Sequence, residues 1–205
     1  MFQAVALSAQ ADNLTFYQCR FKGYQDTLNT AFGKQFFREC EVLGTIDFIF
    51  GDAAVVFQTC AILVRKPLPG QYLTITAQSR MTDGEKSGII FQNCTVNATE
   101  HLRKSYDFKC YFGRPWNDYS RVVVLQSFID SLIDPKGWIE WEGQIPVHPF
   151  CAEFNNRGPG ANTSSRVTWS TMIISHKQAS SFTVRRFLES GTWIPPNVPY
   201  YLDLL

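Results

Sequence analysis

The chain has 205 residues, of which 45% are apolar and 18% charged, and its formal net charge is +1. A chain of this length and apolar content can bury one sizeable core, so we expect a single elongated domain. The near-neutral charge argues against electrostatic capture of nucleic acid, which needs a strongly basic face. The sequence has no run of 18 apolar residues, so it predicts no membrane span.

A strand-like repeat follows the first residues. Short runs of Val, Ile, Phe and Tyr surround Cys19, Cys40, Cys60 and Cys94, and a fifth copy has Ser127 in the place of the cysteine. Nothing between the copies reads as an amphipathic helix, so a fold of alternating strands and helices is disfavoured. Short strands at a regular spacing predict an all-β parallel β-helix, a solenoid in which equivalent residues stack about 4.8 Å apart.

Two aspartates occupy equivalent positions in neighbouring copies, since Asp26 and Asp47 each lie seven residues after a cysteine. At about 5 Å and an effective dielectric constant near 20, two charged carboxylates repel by roughly 3 kcal/mol. One is then driven toward its protonated form while the other stays ionised, which provides an acid and a nucleophile. The alternative interpretation is a ladder of aspartates on a solvated face, or aspartates that cap turns.

The cysteines of the repeat stack in such a solenoid, so any adjacent pair of them could form a disulfide, whereas Cys110 and Cys151 lie outside that register. The sequence has no Cys or His grouping with the spacing of metal ligands, so we expect no zinc site. It also has no nucleophile elbow, P-loop or dinucleotide fingerprint.

The domain organisation follows from where the pattern is regular. Residues 1–205 form one domain in this interpretation, with coils over about 1–145 and a capping arm over about 146–205. The segment Gln3–Leu7 lacks the basic flank of a signal peptide and is predicted to be a strand. Loop signals occupy Arg65–Gly88, and Gly113–Trp116 interrupts the strand pattern just before the fifth copy.

Five short motifs occur along the chain in a distinctive order: QAVAL at Gln3–Leu7, GYQDTL at Gly23–Leu28, GTIDFIFG at Gly44–Gly51, GRPW at Gly113–Trp116 and GW at Gly137–Trp138. Together they resemble the plant-type pectin methylesterases. The resemblance implies a right-handed parallel β-helix that hydrolyses the methyl ester of galacturonate in pectin, releases methanol and needs no metal or other cofactor. The domain of that family starts several coils upstream of QAVAL, so the resemblance also predicts an N-terminally truncated solenoid.

The resemblance assigns the catalytic roles. Asp47 is the nucleophile that attacks the ester carbonyl. Asp26 is the general acid that protonates the leaving methanol and then the base that activates water. Gln3 and Gln25 hold the developing oxyanion, and Arg114 pairs with Asp47, which it keeps ionised and oriented.

The resemblance also assigns binding and structural residues. Phe50, Trp116 and Trp138 offer flat apolar faces to sugar rings, the alternative for each being ordinary core packing. A disulfide between Cys60 and Cys94 is implied as well.

The family's partners and location follow from the same resemblance: pectin as the substrate, a proteinaceous pectinesterase inhibitor as a further partner, secretion to the plant cell wall and a monomeric state. Three residues depart from the family pattern. Asn29 stands where a tyrosine usually lines the cleft, Asp52 replaces an asparagine, and Ser8 stands where an arginine often follows QAVAL.

Three hypotheses for the function remain. The first is an active pectin esterase. The second is a retaining glycosidase, because Asp26 and Asp47 at about 5 Å also suit that reaction, although the glutamine pair and Arg114 favour the esterase. The third is a truncated solenoid that binds pectin with weak or no turnover, because a missing terminal coil leaves an uncovered edge.

Overall fold

The computed structural model describes residues 3–104, 108–170, 172–190 and 193–205. The strands are β1 (Leu7–Ala9), β2 (Leu14–Tyr17), β3 (Arg20–Lys22), β4 (Leu28–Thr30), β5 (Lys34–Arg38), β6 (Glu41–Gly44), β7 (Ile49–Gly51), β8 (Ala54–Gln58), β9 (Ala61–Val64), β10 (Leu73–Gln78), β11 (Gly88–Gln92), β12 (Thr95–Ala98), β13 (Cys110–Gly113), β14 (Arg121–Leu125), β15 (Phe128–Ile129), β16 (Phe150–Phe154) and β17 (Met172–Ile173). The short helices are α1 (Glu100–Arg103), α2 (His176–Ala179), a 3₁₀ turn (Ser180–Phe182) and α3 (Val184–Phe187).

The strands form three parallel sheets. The first sheet has the order β1-β4-β7-β10-β13, the central sheet β2-β5-β8-β11-β14-β16-β17, and the third sheet β3-β6-β9-β12-β15. For most of the chain, successive strands go to successive sheets, so each coil gives one strand to each sheet. This arrangement confirms the predicted parallel β-helix. Among the described residues, no helix is long and apolar enough to span a membrane.

The solenoid interior is a stack of like side chains. Phe16, Phe37, Phe57 and Phe91 come from β2, β5, β8 and β11, and their successive ring centroids lie 4.6, 4.6 and 5.3 Å apart. They stack because parallel neighbours in register place equivalent residues one strand spacing apart. The rings join one continuous apolar cluster that fills the solenoid.

The central sheet is apolar on both faces, because its strands are covered on both sides. In β8, Val55 and Phe57 belong to the interior cluster, whereas Val56 belongs to a second cluster on the outer face. Val184 and Leu188 of the C-terminal segment complete that outer cluster. The segment therefore packs against the outside of the central sheet.

The cysteine repeat has the register that the sequence predicts. Each of its members follows a corner residue with a left-handed backbone: Gln18, Glu39, Thr59, Asn93 and Gln126, with φ between 50° and 57°. Strand pairing on both sides of these corners aligns each coil with the next. All six cysteines are thiols in this structure. The Cys60–Cys94 disulfide stays a prediction.

The two ends of the chain add detail to the predicted organisation. The first strand begins later than the prediction of Gln3–Leu7, since β1 spans Leu7–Ala9 at the edge of its sheet. Within the predicted range, the Ala6 N–H donates to the Thr27 carbonyl at 2.8 Å. Beyond residue 145 the chain first adds β16 to the central sheet beside β14. The boundary between coils and arm stays a prediction.

A glutamine ladder holds the last residues of the chain. The side-chain amide of Gln58 exchanges two hydrogen bonds with the backbone of Tyr201, both at 2.9 Å. Gln126 does the same with Leu205, at 2.6 and 3.0 Å. The C-terminal residues 201–205 therefore lie across several coils.

Candidate active site

The two aspartates lie side by side at the start of the first sheet. Asp26 and Asp47 precede β4 and β7 by two residues each, and the pairing of Leu28 with Ile49 brings them into the same row. The pairing of β7 with β10 extends that row to Thr74 on the next coil. The seven-residue offset in the sequence therefore corresponds to one stacked row of polar side chains.

Both aspartates have a left-handed backbone, with φ of 58° at Asp26 and 48° at Asp47. Asp tolerates this region better than most residues, and such conformations persist only where the surroundings determine them. The Asp26 N–H donates to the carbonyl of Ile46 at 3.0 Å. The Asp47 N–H donates to the hydroxyl of Thr74, also at 3.0 Å.

The carboxylate of Asp47 is buried and held by charged hydrogen bonds. Arg114 contacts it through Nε, 3.1 Å from each oxygen, and through Nη2, 2.6 Å from Oδ2. The Thr74 hydroxyl donates to Oδ1 at 2.6 Å. This is the Asp47–Arg114 contact that the family resemblance implies, in the near-bidentate geometry of a strong arginine–carboxylate pair.

Arg114 is itself fixed by aromatic neighbours. Its guanidinium carbon lies 4.0 Å from the ring centroid of Trp141, and Nη1 donates to the Tyr72 hydroxyl at 3.0 Å. Burial opposes the charge of Arg114, yet the hydrogen bonds and negative charge of Asp47 raise its pKa above the usual value. The cation is therefore stable beside Asp47.

Asp26 differs from Asp47 in its environment. It is half-buried, and its side chain accepts a hydrogen bond from the Gln3 amide. Burial is the main cause that raises the pKa of Asp26, and the charge of Asp47 raises it further, against the opposing effects of Gln3 and Arg114. Desolvation thus contributes more than the like-charge repulsion from which the sequence argument started. The direction of the shift suits a proton donor.

One pocket of about 190 Å³ brings most of the predicted site residues together. It is lined by Gln3, Gln25, Asp26, Asp47, Phe50, Ala77, Arg114, Trp116 and Trp141. A larger cavity of about 390 Å³ lies elsewhere, beside Lys34 and Glu189, whose charges already pair with each other. In the described ranges, no group of His, Cys, Asp and Glu side chains could hold a metal ion.

The aromatic wall of the pocket differs from the prediction at one position. Trp138 is 1% exposed and packs on Phe112 with ring centroids 5.3 Å apart, so the predicted contact of Trp138 with sugar does not fit this structure. Trp141 lines the pocket instead, stacked on Trp116 at 5.8 Å. The segment has two nearby tryptophans, and sequence alone favours the one beside Gly137.

Two further residues of the site were missed by sequence reasoning. Tyr72 is the last residue of an inserted loop between β9 and β10, and Thr74 lies just after that loop in β10. The loop breaks the even spacing that identified the aspartates. Counting back from the strand pattern of β10 would have aligned Thr74 with Asp47.

Comparisons with known proteins agree on one family. The Pectinesterase family model matches residues 1–191. Probable pectinesterase/pectinesterase inhibitor 7 of Arabidopsis thaliana is 48% identical over 99% of this chain and 36% of its own length. Pectinesterase 2 of Citrus sinensis is 46% identical over 97% of this chain and 40% of its own length. The chain thus spans two-fifths or less of these curated relatives.

Solved structures agree with the sequence matches. Pectin methylesterase from carrot superposes with a TM-score of 0.95 at 42% identity, covering 98% of this chain and 65% of that one. A pectin methylesterase in complex with hexasaccharide VII superposes with a TM-score of 0.74 at 25% identity, covering 94% of this chain and 62% of that one. The chain belongs to the pectinesterase family.

Proposed function

We propose that this protein hydrolyses the methyl esters of pectin and releases methanol. The observation that carries the proposal is the pairing of two unlike carboxyl groups in one pocket. Asp47 is buried against Arg114, whereas the pKa of Asp26 is raised by burial. Such a pair can supply a nucleophile and, beside it, a proton donor for the leaving group without a metal. Membership of the pectinesterase family supports the same reaction.

The first half of the reaction forms an acyl-enzyme. An oxygen of Asp47 attacks the carbonyl carbon of the ester, and negative charge develops on the carbonyl oxygen. The side-chain amides of Gln25 and Gln3 line the pocket and can donate to that oxygen. Gln3 has two amide hydrogens, so its bond to Asp26 leaves one free. The intermediate collapses when Asp26 gives its proton to the leaving methoxide, which departs as methanol.

The second half restores the enzyme. Asp26, now a carboxylate, takes a proton from water as that water attacks the carbonyl carbon of the anhydride. The intermediate releases Asp47 as a carboxylate and the product as a carboxylic acid, which loses its proton to solvent. Arg114 stabilises Asp47 both as the attacking group and as the leaving group.

The aromatic side chains of the pocket provide the sugar-binding surface. Trp116 is 46% exposed and lies between Trp141 and Phe50, with ring centroids 5.8 and 6.4 Å away. Exposed flat rings suit the apolar faces of pyranose sugars. The similar structure solved with a hexasaccharide supports an oligosaccharide as the ligand.

The same family membership supports the remaining proposals. We infer secretion to the plant cell wall, where the substrate lies, and a monomeric enzyme. The relatives named pectinesterase/pectinesterase inhibitor support a proteinaceous inhibitor as a partner. A Cys60–Cys94 disulfide would join neighbouring coils in that oxidising compartment.

Replacing each carboxyl group by an amide tests the assignment. Asp47→Asn should abolish methanol release from methyl-esterified pectin, because a neutral amide is a poor nucleophile. Asp26→Asn should be severely impaired, through loss of proton transfer. Asp203→Asn, a change at an exposed aspartate in the C-terminal tail, is the matched control and should be fully active.

Circular dichroism and thermal unfolding would show that each variant is folded. Wild-type turnover by folded Asp47→Asn protein would remove Asp47 from the role of nucleophile.

A further inference from the structure

The hydroxyl of Thr74 contacts Asp47 at two points. It donates to the carboxylate oxygen Oδ1 at 2.6 Å and accepts a hydrogen bond from the backbone N–H of the same residue at 3.0 Å. Thr74 is fully buried. One hydroxyl group therefore ties the side chain of Asp47 to its own backbone.

The backbone contact matters because Asp47 has φ of 48°. A non-glycine residue keeps such a conformation only where its surroundings require it. At Asp26, in the equivalent position one coil earlier, the N–H donates to the backbone carbonyl of Ile46. At Asp47 the Thr74 side chain takes the place of that carbonyl, so the left-handed turn at Asp47 depends on a hydroxyl that substitution can remove.

The side-chain contact fixes the rotation of the carboxylate. An ionised carboxylate has about four acceptor positions. Nε of Arg114 lies 3.1 Å from both oxygens, Nη2 donates to Oδ2, and the Thr74 hydroxyl donates to Oδ1. The two residues together therefore fix the plane of the carboxylate. Arg114 alone contacts both oxygens from one side, whereas Thr74 holds Oδ1 from the neighbouring coil.

Thr74 is well placed to be rigid. It lies in β10, its own N–H donates to the carbonyl of Thr45 at 3.2 Å, and its partner in β13 is Tyr111. Thr45 begins the turn that carries Asp47. Strand β10 is therefore bonded to both the start and the reactive residue of that turn, which is the support that a preorganised nucleophile needs.

We propose that Thr74 is a positioning residue for the nucleophile, which it holds in the rotamer and backbone conformation that attack requires. Thr74 is not among the residues that line the pocket, so it acts through Asp47 and does not touch the substrate. This inference rests on the proposed esterase function. It goes further by making a buried hydroxyl on the next coil a condition of full turnover.

The test compares variants that keep or remove the hydroxyl. Thr74→Val removes it at similar volume, and Thr74→Ser keeps it. We expect Thr74→Val to lower kcat for methanol release by about 10²-fold, the usual effect of a displaced reacting group. KM should stay within about 2-fold, because sugar contacts are unchanged. Thr74→Ser should recover most of the lost kcat.

Thr183→Val is the matched control. Thr183 is also buried, and its hydroxyl donates to a backbone carbonyl, that of Ser180, but it lies in the C-terminal segment. It should have wild-type kcat per folded molecule. If Thr74→Val does not fold, Thr74→Ala removes the same hydroxyl without adding a branched apolar group and gives the same comparison with Thr74→Ser.

Two results would overturn the inference while the proposed function stands. One is wild-type kcat in folded Thr74→Val or Thr74→Ala protein. The other is an equal loss in Thr74→Ser, which would show that packing and not the hydroxyl matters. A wild-type protein that releases no methanol would instead overturn the proposed function, and this inference with it.

Discussion

At the scale of single residues, the site depends on two identical side chains in different surroundings. Asp47 is 4% exposed and bound directly by Arg114, whereas Asp26 is half-buried and accepts a hydrogen bond from the Gln3 amide. Burial raises the pKa of Asp26 despite the opposing charge of Arg114. The proposed difference between nucleophile and acid would therefore arise from neighbours and not from residue type.

The raised pKa of Asp26 has a consequence for stability. Because burial raises this pKa above its usual 3.8, the folded protein binds this proton more tightly than the unfolded chain. The resulting stabilisation is complete below the unfolded pKa and is lost as the pH rises through the folded pKa. The amide of Asn stays neutral at every pH and does not lose this stabilisation. Asp26→Asn should therefore raise Tm relative to wild type by an amount that grows as the pH rises above 3.8, and the gain should disappear near pH 3.

Thermal unfolding of both proteins across this pH range measures the effect. Asn also tolerates the left-handed backbone at this position, so the substitution adds little strain. Asp203→Asn should change stability with the opposite sign, since a hydrogen bond from Arg185 lowers the pKa of Asp203. A lower Tm for Asp26→Asn at neutral pH would contradict the assigned environment of Asp26.

The predictable part of the site was the part that repeats. Asp26 and Asp47 share an offset from the cysteine repeat, and neighbouring coils turn that offset into proximity. Thr74 lies 27 residues after Asp47, because an inserted loop intervenes, so the spacing conceals it. The choice between Trp138 and Trp141 depends on which ring the turn directs outward, which sequence spacing does not determine.

At the scale of elements, the coils are held together by columns of stacked side chains. Phe57 is fully buried between Phe37 and Phe91. Phe57→Ala should therefore cost about 3–5 kcal/mol, the usual loss for a buried phenylalanine, because neighbouring coils cannot close the cavity without losing their strand register. Denaturant unfolding measures it. Phe32→Ala, at a side chain that is 53% exposed, should cost far less.

A loss below about 1 kcal/mol for Phe57→Ala would show that the column relaxes and does not set the coil spacing. The column itself was predictable, because phenylalanine or a similar residue recurs before each cysteine. The outer face of the central sheet was less clear, since Val56 and Ile90 lie in a cluster that residues of the C-terminal segment complete. The short helices of that segment have four residues each, too few for a periodic pattern.

At the scale of the whole molecule, a buried ion pair joins the last coil to the segments around it. Arg166 pairs with Glu153 of β16 at 2.6 Å, and both side chains are almost fully buried. Arg166 also donates to the carbonyls of Pro135 and Gly160, at 3.1 and 2.8 Å. One guanidinium therefore links three parts of the chain.

Breaking this pair should destabilise the molecule strongly. Glu153→Gln leaves the Arg166 charge buried without its partner, which typically costs about 3–5 kcal/mol. The double change Glu153→Leu with Arg166→Met should recover much of that loss, because apolar residues of similar volume avoid the desolvation. Urea unfolding of the three proteins makes the comparison. A Glu153→Gln protein as stable as wild type would mean that the pair is not the link described.

The central claim is that this fold positions two carboxyl groups for ester hydrolysis and not for cleavage of sugar linkages. The most direct measurement incubates the protein with methyl-esterified pectin and follows methanol, titratable acid and reducing ends together. An esterase releases methanol and acid in equal amounts, and Asp47→Asn abolishes both, while reducing ends stay constant. New reducing ends without methanol would identify a glycosidase. Binding of pectin with no product of either kind would identify an inactive solenoid. Either result would contradict the proposed ester hydrolysis.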